Sequence, residues 1–299
     1  MMVKNEARFV WYSIMSVLDY VDRIRIWDTG SNDGTVEIIE SLIKEYKGNT
    51  QIIFKKVQEK EFDEGRYREA MLLECCDPNT TENDIGTFSV MRQQMLNETI
   101  YDWIIMVDGD EVWWKDSIKE LTDTIREKGR EYESIVVPTV NLVGDIYHYQ
   151  EEKAGKYKFF GKTGHYNLRA FSRDIPGLHS STKPHGIWGW EDKDCVMIQD
   201  RDPKNILFLN TPYMHATHLQ RSGNIVLEKG VYKRAKKLKH EIGFSFPKDY
   251  FYPESFFYLR PDIVSSPWIK MGLLFKIRSY LETPFRMLKR RLFKSKVGY

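Results

Sequence analysis

Two acidic clusters in this chain carry residue types and spacings suited to chemistry. Asp108-Gly109-Asp110-Glu111 directly follows Trp103-Ile104-Ile105-Met106-Val107, an apolar run typical of a strand buried on both faces. Ligands of α/β sheets sit at the carboxyl ends of strands, and two carboxylates there can share a hard divalent cation and a diphosphate. Gly109 leaves the backbone free to approach a ligand. An isolated Asp-x-Asp reads better as an acidic turn that merely ends a strand, so the second cluster decides its weight. Asp28-Thr29-Gly30-Ser31-Asn32-Asp33-Gly34-Thr35 follows a strand at Ile24–Trp27 and opens a helix. Asp28 can accept hydrogen bonds from a base or ribose, and the helix N-terminus favours anionic ligands. Asn5-Glu6 follows a first strand and lies at the same sheet edge.

The elements that must position these residues are legible from periodicity. Val36, Ile39, Leu42, Ile43 and Tyr46 recur at helical spacing, with Ser31 or Asp33 as the cap. Ile52, Ile53, Phe54 and Val57 predict a strand, and the polar stretch Glu59 to Gly86 predicts a loop or small insertion. A helix from about Phe88 to Thr99 carries Arg92 towards the Asp-Gly-Asp strand. After Pro138 the pattern is mixed, with strands at Tyr166–Ser172 and Asn205–Leu209 around a loop rich in Gly, Trp and His. Beyond Gln220 the chain reads as helical and basic. Only Met1-Met2-Val3 stand before Lys4-Asn5-Glu6, so the first strand is very short or is cut into. Alternating strands and helices predict an α/β fold with a mostly parallel sheet. There is no internal repeat and no low-complexity block.

Together, Val3-Lys4-Asn5-Glu6, the Asp28–Thr35 run, and Asp102-Trp103 leading to Asp108-Gly109-Asp110-Glu111 resemble the family 2 glycosyltransferases of GT-A fold, over roughly residues 1–115. The resemblance implies a Rossmann-like, mostly parallel sheet flanked by helices, a nucleoside-diphosphate-sugar donor, a divalent cation (Mn or Mg) and inversion at the anomeric carbon. By position, Asn5, Glu6 and Asp28 would hold the nucleoside, with Asp33 in the same loop. Asp108 and Asp110 would serve the metal and diphosphate, Asp110 most directly. Arg92 would approach the diphosphate or base; the family's Arg-Asn pair is here Arg92-Gln93, so the Asn is not retained.

The acceptor half is less complete. Inverting transfer needs a group to take the acceptor hydroxyl's proton. Trp188-Gly189-Trp190-Glu191-Asp192 resembles the W-G-x-E-D loop of several GT-A enzymes, which makes Asp192 and Glu191 the candidates. Many family members instead carry a His-Glu pair; His179 and His185 lie nearby without a following Glu. A late His completes the metal site in many GT-A enzymes, and His215 or His218 could do so here, since neutral imidazole ligates Mn. Arg221 follows closely and could bind phosphate.

Composition bounds the partners. The 299 residues hold 45 Lys+Arg and 43 Asp+Glu, a formal net charge of +2, so no bulk charge points to nucleic acid. A hydrophobic fraction of 41% with 14% aromatics excludes a disordered chain. No run approaches the roughly 18 apolar residues of a spanning helix, and no signal-peptide pattern stands at the start. Cys75, Cys76 and Cys195 cannot make a disulfide framework, and adjacent cysteines rarely bridge each other. A reducing, cytoplasmic compartment is therefore the simplest reading. The near-neutral total conceals a partition: residues 266–299 carry nine Lys/Arg against Glu282 alone. Ile269, Leu273, Ile277 and Leu281 share one helical stripe, and Phe285, Leu288 and Leu292 another, as in a helix lying on an anionic membrane.

The expected organisation is a catalytic domain over 1–225 and a helical, basic amphipathic region over 226–299. The expected partners are a nucleotide-sugar donor, a glycan or lipid-linked acceptor, and an anionic membrane surface. A nucleotidyltransferase would share the scaffold, but the segment after Val3 lacks that class's Gly-rich basic loop. A non-catalytic scaffold that binds nucleotide sugar is expected to carry a broken Asp-x-Asp, and here it is whole.

Overall fold

The computed structural model describes residues 1–57, 71, 86–183, 188–231 and 234–292. Most of the polar stretch 59–86, the vicinal cysteines, His185 and the last seven residues lie outside that set. The strands in chain order are β1 (Met2–Val3), β2 (Arg23–Asp28), β3 (Gln51–Lys56), β4 (Trp103–Ile105), β5 (Glu111–Trp113), β6 (Ser134–Val143) and β7 (Asp145–Tyr149). A small hairpin of β8 (Tyr157–Phe159) and β9 (Lys162–Gly164) precedes β10 (Tyr166–Ser172). Then come β11 (His179–Ser180), β12 (Trp190–Glu191), β13 (Ile206–Phe208), β14 (Tyr213–His218) and β15 (Phe244–Ser245). The helices used below are α1 (Val10–Val17), α2 (Thr35–Glu45), α3 (Thr87–Asn97), α4 (Lys115–Lys128), α5 (Ile225–Lys229), α6 (Arg234–Lys237) and α7 (Leu273–Leu292).

The fold is mixed α/β. Strands β1, β2 and β3 form a parallel sheet in that order, with Val3 opposite Asp28. The second sheet has eight strands and departs from the mostly parallel expectation. The ten-residue β6 is its spine, antiparallel to β10 and β7 but parallel to β13 and β14. The β6–β7 pairing is local in origin: Gly144, at φ +78°, turns β6 straight into β7, a backbone state glycine reaches without a Cβ penalty. Among the described residues β4 pairs only with β10. Its residues Trp103 to Ile105 are half-buried, because a cavity of about 970 Å³ opens beside β4 and the start of β2. The expectation of a strand covered on both faces therefore fails at β4.

α1 is the pivot of the core. Seven of its eight residues are buried, the pattern of a helix covered on every side. It packs with α2, whose Ile38, Ile39 and Leu42 are buried, and its Tyr12 meets Phe256 edge-on at 5.3 Å. That last contact bears on the domain expectation. The stretch after residue 225 contains short helices, the strand β15 paired to β7, and an irregular run whose Tyr252, Phe256 and Val264 join the main core. It is an integral layer, not a helical appendage. Cys195 is disulfide-bonded, so the cysteine count does not carry the reducing-compartment expectation. No helix among the described residues is long and apolar enough to cross a membrane.

One ion pair fastens α7 to this layer. Arg290 donates to both carboxylate oxygens of Glu241, each at 2.6 Å, and to Glu151 at 2.9 Å. Burial works against the Glu241 charge, but the Arg290 hydrogen bonds outweigh it and hold the carboxyl below its usual range. A depressed carboxylate contributes stability above its unfolded value and loses it as pH falls through the folded value. Arg290→Met is therefore expected to cost about 1–3 kcal/mol at pH 7. Urea denaturation should show the gap from wild type closing as pH drops below the ordinary glutamate range; a gap independent of pH would refute the assignment.

Candidate active site

The Asp28–Thr35 turn and the Asn5–Ala7 turn are sewn together by side chains. Asp28 Oδ2 accepts from the amides of Gly30 and Ser31 at 3.0 and 2.9 Å. Asn5, at φ +56°, donates its amide to Ser31 Oγ and accepts from the Asn32 amide through Oδ1. The Glu6 amide reaches Thr35 Oγ1 at 2.8 Å, and the Ala7 amide reaches Asp33 Oδ2 at 3.1 Å. Asp33 Oδ1 accepts from Thr35. Both Asp33 oxygens are thus spent on the turn, which makes it a builder of the loop. Gly34, at φ +95°, begins α2 without a side-chain cap. Asp28 Oδ1 is different: it is buried and accepts no hydrogen bond.

The Asp-Gly-Asp turn rests on the same surface. A Cβ built on Gly109 would lie 2.9 Å from Glu6 Cγ and 3.2 Å from Val3 Cγ1, so a glycine lets the two turns touch. Behind them α1 supplies two hydroxyls: Ser13 Oγ donates to the Asp108 carbonyl at 2.8 Å, and Ser16 Oγ accepts from the Trp113 amide. Register does the rest. β5 runs antiparallel to β14 with His215 opposite Glu111, and Trp113 stacks on Tyr213 with ring centroids 4.7 Å apart.

The carboxylates meet a ring of guanidinium groups. Asp108 lies 3.7 Å from Arg92 and 3.5 Å from Arg169. Burial opposes its charge, but Arg169 and Arg92 outweigh it and hold the carboxyl below the usual range. Arg169 also pairs with Glu111, which is fully buried and further held by Tyr213 Oη at 2.9 Å. Burial pushes the Glu111 carboxyl up to about 8, with Arg169 pulling against it. Arg221 stands 2.8 Å from Asp110 Oδ2 and 3.2 Å from Glu6 Oε1, and Arg234 pairs with the same Glu6 oxygen. Glu6, expected to face a nucleoside, is instead the counter-ion of these two arginines.

Asp110 is 1% exposed, and neither of its carboxylate oxygens accepts a well-formed hydrogen bond. His215 Nε2 lies 3.4 Å from Oδ2. Burial lowers the His215 pKa, with Asp110 opposing, so the ring is neutral near pH 7 and able to ligate. No three His, Cys, Asp or Glu side chains among the described residues are arranged to hold a metal. Asp110 and His215 fit a hard divalent cation as two donors, an arrangement in which substrate phosphates and water supply the remaining ligands. His218 does not join them. Its Nδ1 is 2.9 Å from the Lys237 carbonyl and its Nε2 is 3.1 Å from Lys239 Nζ.

The two base candidates separate. Asp192 accepts from the Asp194 and Val196 amides and pairs with Arg201, which also holds Glu133. Burial opposes the Asp192 charge, but those donors outweigh it and lower the pKa. Its carboxylate is occupied in closing a turn. Glu191 sits on β12 between Lys183 and His179, the imidazole 3.9 Å away. This hairpin docks on α3: the Ser180 amide donates to Gln93 Oε1 at 2.7 Å, and Arg92 lies over Trp188. Gln93, where the family pattern has Asn, has the reach to make that bond. Sequence reasoning missed Arg169, Tyr213 and Arg234. The available signal for Arg169 is a lone charge inside the otherwise uncharged strand β10. The 970 Å³ cavity, lined by Arg23, Arg25, Trp103 and Tyr132, lies at the opposite, N-terminal ends of the strands.

Among solved structures the chain is similar to S. aureus TarS 1-349, at TM-score 0.42 and 12% identity over 72% of this chain and 59% of that one. The likeness to S. aureus TarS extends over 36% of that chain, at TM-score 0.43 and 12% identity. Glucosyl-3-phosphoglycerate synthase from Mycobacterium tuberculosis, in complex with Mn2+, UDP-glucose and phosphoglyceric acid, is similar at TM-score 0.38 and 15% identity, over 79% of this chain and 76% of that one. The chain thus spans less than two thirds of the TarS chains it matches. No family model and no curated protein matches it. Likenesses this loose carry no assignment.

Arg169 is the partner whose loss the site should feel most. Arg169→Met keeps the volume but leaves Glu111 buried without its counter-ion, an expected cost on the order of 3–5 kcal/mol. Urea denaturation at pH 9, above the raised Glu111 value of about 8 where that carboxylate is ionised, measures it, and an unchanged midpoint would show the pair to be idle.

Proposed function

We propose that the chain is an inverting glycosyltransferase, moving a sugar from a nucleoside-diphosphate donor to a hydroxyl acceptor of the glycan or lipid-linked kind, with a divalent cation. One observation carries the reading. Asp28 Oδ1 and Asp110 Oδ1 are buried acceptors without hydrogen bonds, on turns that pack together through Gly109 and Glu6. Unsatisfied buried carboxylate oxygens are costly, and here they stand at the carboxyl end of β2 and beyond that of β4, the side of a sheet where α/β ligands bind.

In this reading Asp28 Oδ1 accepts a hydrogen bond from the nucleoside, and the Asn5 and Asp33 turns hold the loop that presents it. Arg92 lies loosely on Asp108, beyond ordinary hydrogen-bond length, and can turn to the diphosphate when it arrives, while Arg169 stays on Glu111. Asp110 and His215 are the residues that would hold Mn or Mg; when bound, the cation offsets the negative charge that builds on the leaving diphosphate. The bond from the anomeric carbon to the diphosphate oxygen breaks as the acceptor oxygen attacks the opposite face. The hydroxyl proton passes to a carboxylate. Of the two candidates Glu191 takes that role, because Asp192 is committed to Arg201 and its own turn.

With Mn present, a matching nucleoside-diphosphate sugar at about 100 times its Kd should stabilise the protein by about 2.7 kcal/mol, read as a thermal shift across a donor panel. Asp110→Asn should abolish the shift and cut turnover on the order of 10²–10³-fold; full turnover in that variant would overturn the site. Glu191→Gln should lower kcat on the order of 10²-fold or more, whereas Asp192→Asn should act on stability. The reverse pattern would return the base to Asp192.

A further inference from the structure

The helix α7 presents two opposite faces, and only one belongs to the protein. Its inner face is fixed by named contacts. Ser279 is fully buried, Thr283 Oγ1 accepts from the Ile242 amide at 2.8 Å, Arg286 donates to the His240 carbonyl at 3.1 Å, and Arg290 holds Glu241. At about 100° per residue, these four side chains project from one side of the helix. Leu273, Ile277, Leu281, Phe285, Leu288 and Leu292 fall on the other side, within an arc of about 120°. Those six are 51% to 75% exposed. A contiguous apolar stripe of this kind, left in water, is costly and marks a contact surface.

The charges bordering the stripe choose its occupant. Lys276, Lys289 and Arg291 are exposed along its flanks. The helix's single acid, Glu282, is neutralised by Arg278 and Arg286 at 2.7 Å each. An apolar stripe fringed with cations fits an anionic bilayer surface: the side chains enter the headgroup boundary while each basic residue adds about 1 kcal/mol of attraction. Protein grooves that take amphipathic helices demand a helix free to leave its own domain, and α7 is bolted down along its inner face. The remainder of the chain is net acidic, which disfavours other faces of the molecule at the same surface.

We propose that α7 is a built-in membrane-docking surface, lying in the plane of an anionic lipid bilayer with Leu273, Ile277, Leu281, Phe285, Leu288 and Leu292 inserted. It holds the domain at the membrane without spanning it. The inference does not depend on the sugar-transfer reading, and either can fail alone.

The test is flotation of the full chain with vesicles of phosphatidylcholine alone or mixed with phosphatidylglycerol. Binding is expected only to the anionic vesicles, and should weaken with added salt. The double variant Leu281→Glu/Phe285→Glu should bind at least about tenfold less, while its Tm matches wild type because both positions are exposed. Lys276→Glu/Lys289→Glu should lose binding to anionic vesicles as well. Equal binding to neutral vesicles, or undiminished binding by the Glu double variant, would overturn the proposal. So would self-association that the Glu variant abolishes in a protein that ignores vesicles.

Discussion

Carboxylates removed from water must find cations, and much of this molecule's architecture follows from that constraint. Glu6, Asp110 and Glu111 are each less than a twentieth exposed, and an uncompensated buried charge costs several kcal/mol. Their compensation comes from Arg169, Arg221 and Arg234, which belong to β10, to the loop after β14 and to α6. The two sheets and the C-terminal layer are therefore held in mutual position by the charges they share. That is why the stretch after residue 225 cannot be regarded as an appendage. Arg234 touches both the Asn5 carbonyl and Glu6, so the layer that carries α7 also closes the floor of the site.

The same network gives the site its chemical character. A carboxylate ringed by guanidinium groups is kept ionised, as Asp108 is, and its arginines gain little by staying if a more highly charged anion arrives. Diphosphate is such an anion, and planar guanidinium forks suit it. Asp110 differs, because Arg221 approaches one oxygen while the other is left free of hydrogen bonds. A cation bound at Asp110 and His215 would share that carboxylate with Arg221. The arrangement leaves an unmet demand in the protein alone, which on the proposed reading a ligand would satisfy; that is how a binding site differs from a structural ion pair.

Local signals in the chain were enough to predict the elements that carry the motifs. The alternating apolar residues of β2, the stripe of α2, the helix bearing Arg92 and the strand β10 all form close to their expected bounds. Each depends on residues only a few positions apart, whose side chains choose between periods of 2 and 3.6. Expectations that needed distant partners fared less well. β4 reads as a strand covered on both faces, yet a cavity runs along it. The sheet around β6 mixes directions, because a one-glycine reversal lays β7 antiparallel beside it while β10, far along the chain, pairs antiparallel as well. Three cysteines read as too few for a disulfide framework, yet Cys195 is disulfide-bonded.

The sequence by itself determined which residues stand at the carboxyl ends of the strands, since the motifs of Asn5-Glu6, Asp28–Thr35 and Asp108–Asp110 are contiguous with the strands that deliver them. It also determined the amphipathic character of α7. Tertiary structure alone decided what each of those side chains does. Glu6 became a counter-ion and Asp33 a turn builder, while Asp28 and Asp110 kept an oxygen free. It also separated His215 from His218 and Glu191 from Asp192. The physical reason is that charge is compensated through space: Glu6 meets Arg221 and Arg234 more than two hundred residues away, a separation no local pattern encodes. For α7, too, only the fold could say that the apolar stripe faces outward, because the contacts that hold the opposite face come from residues 240–242.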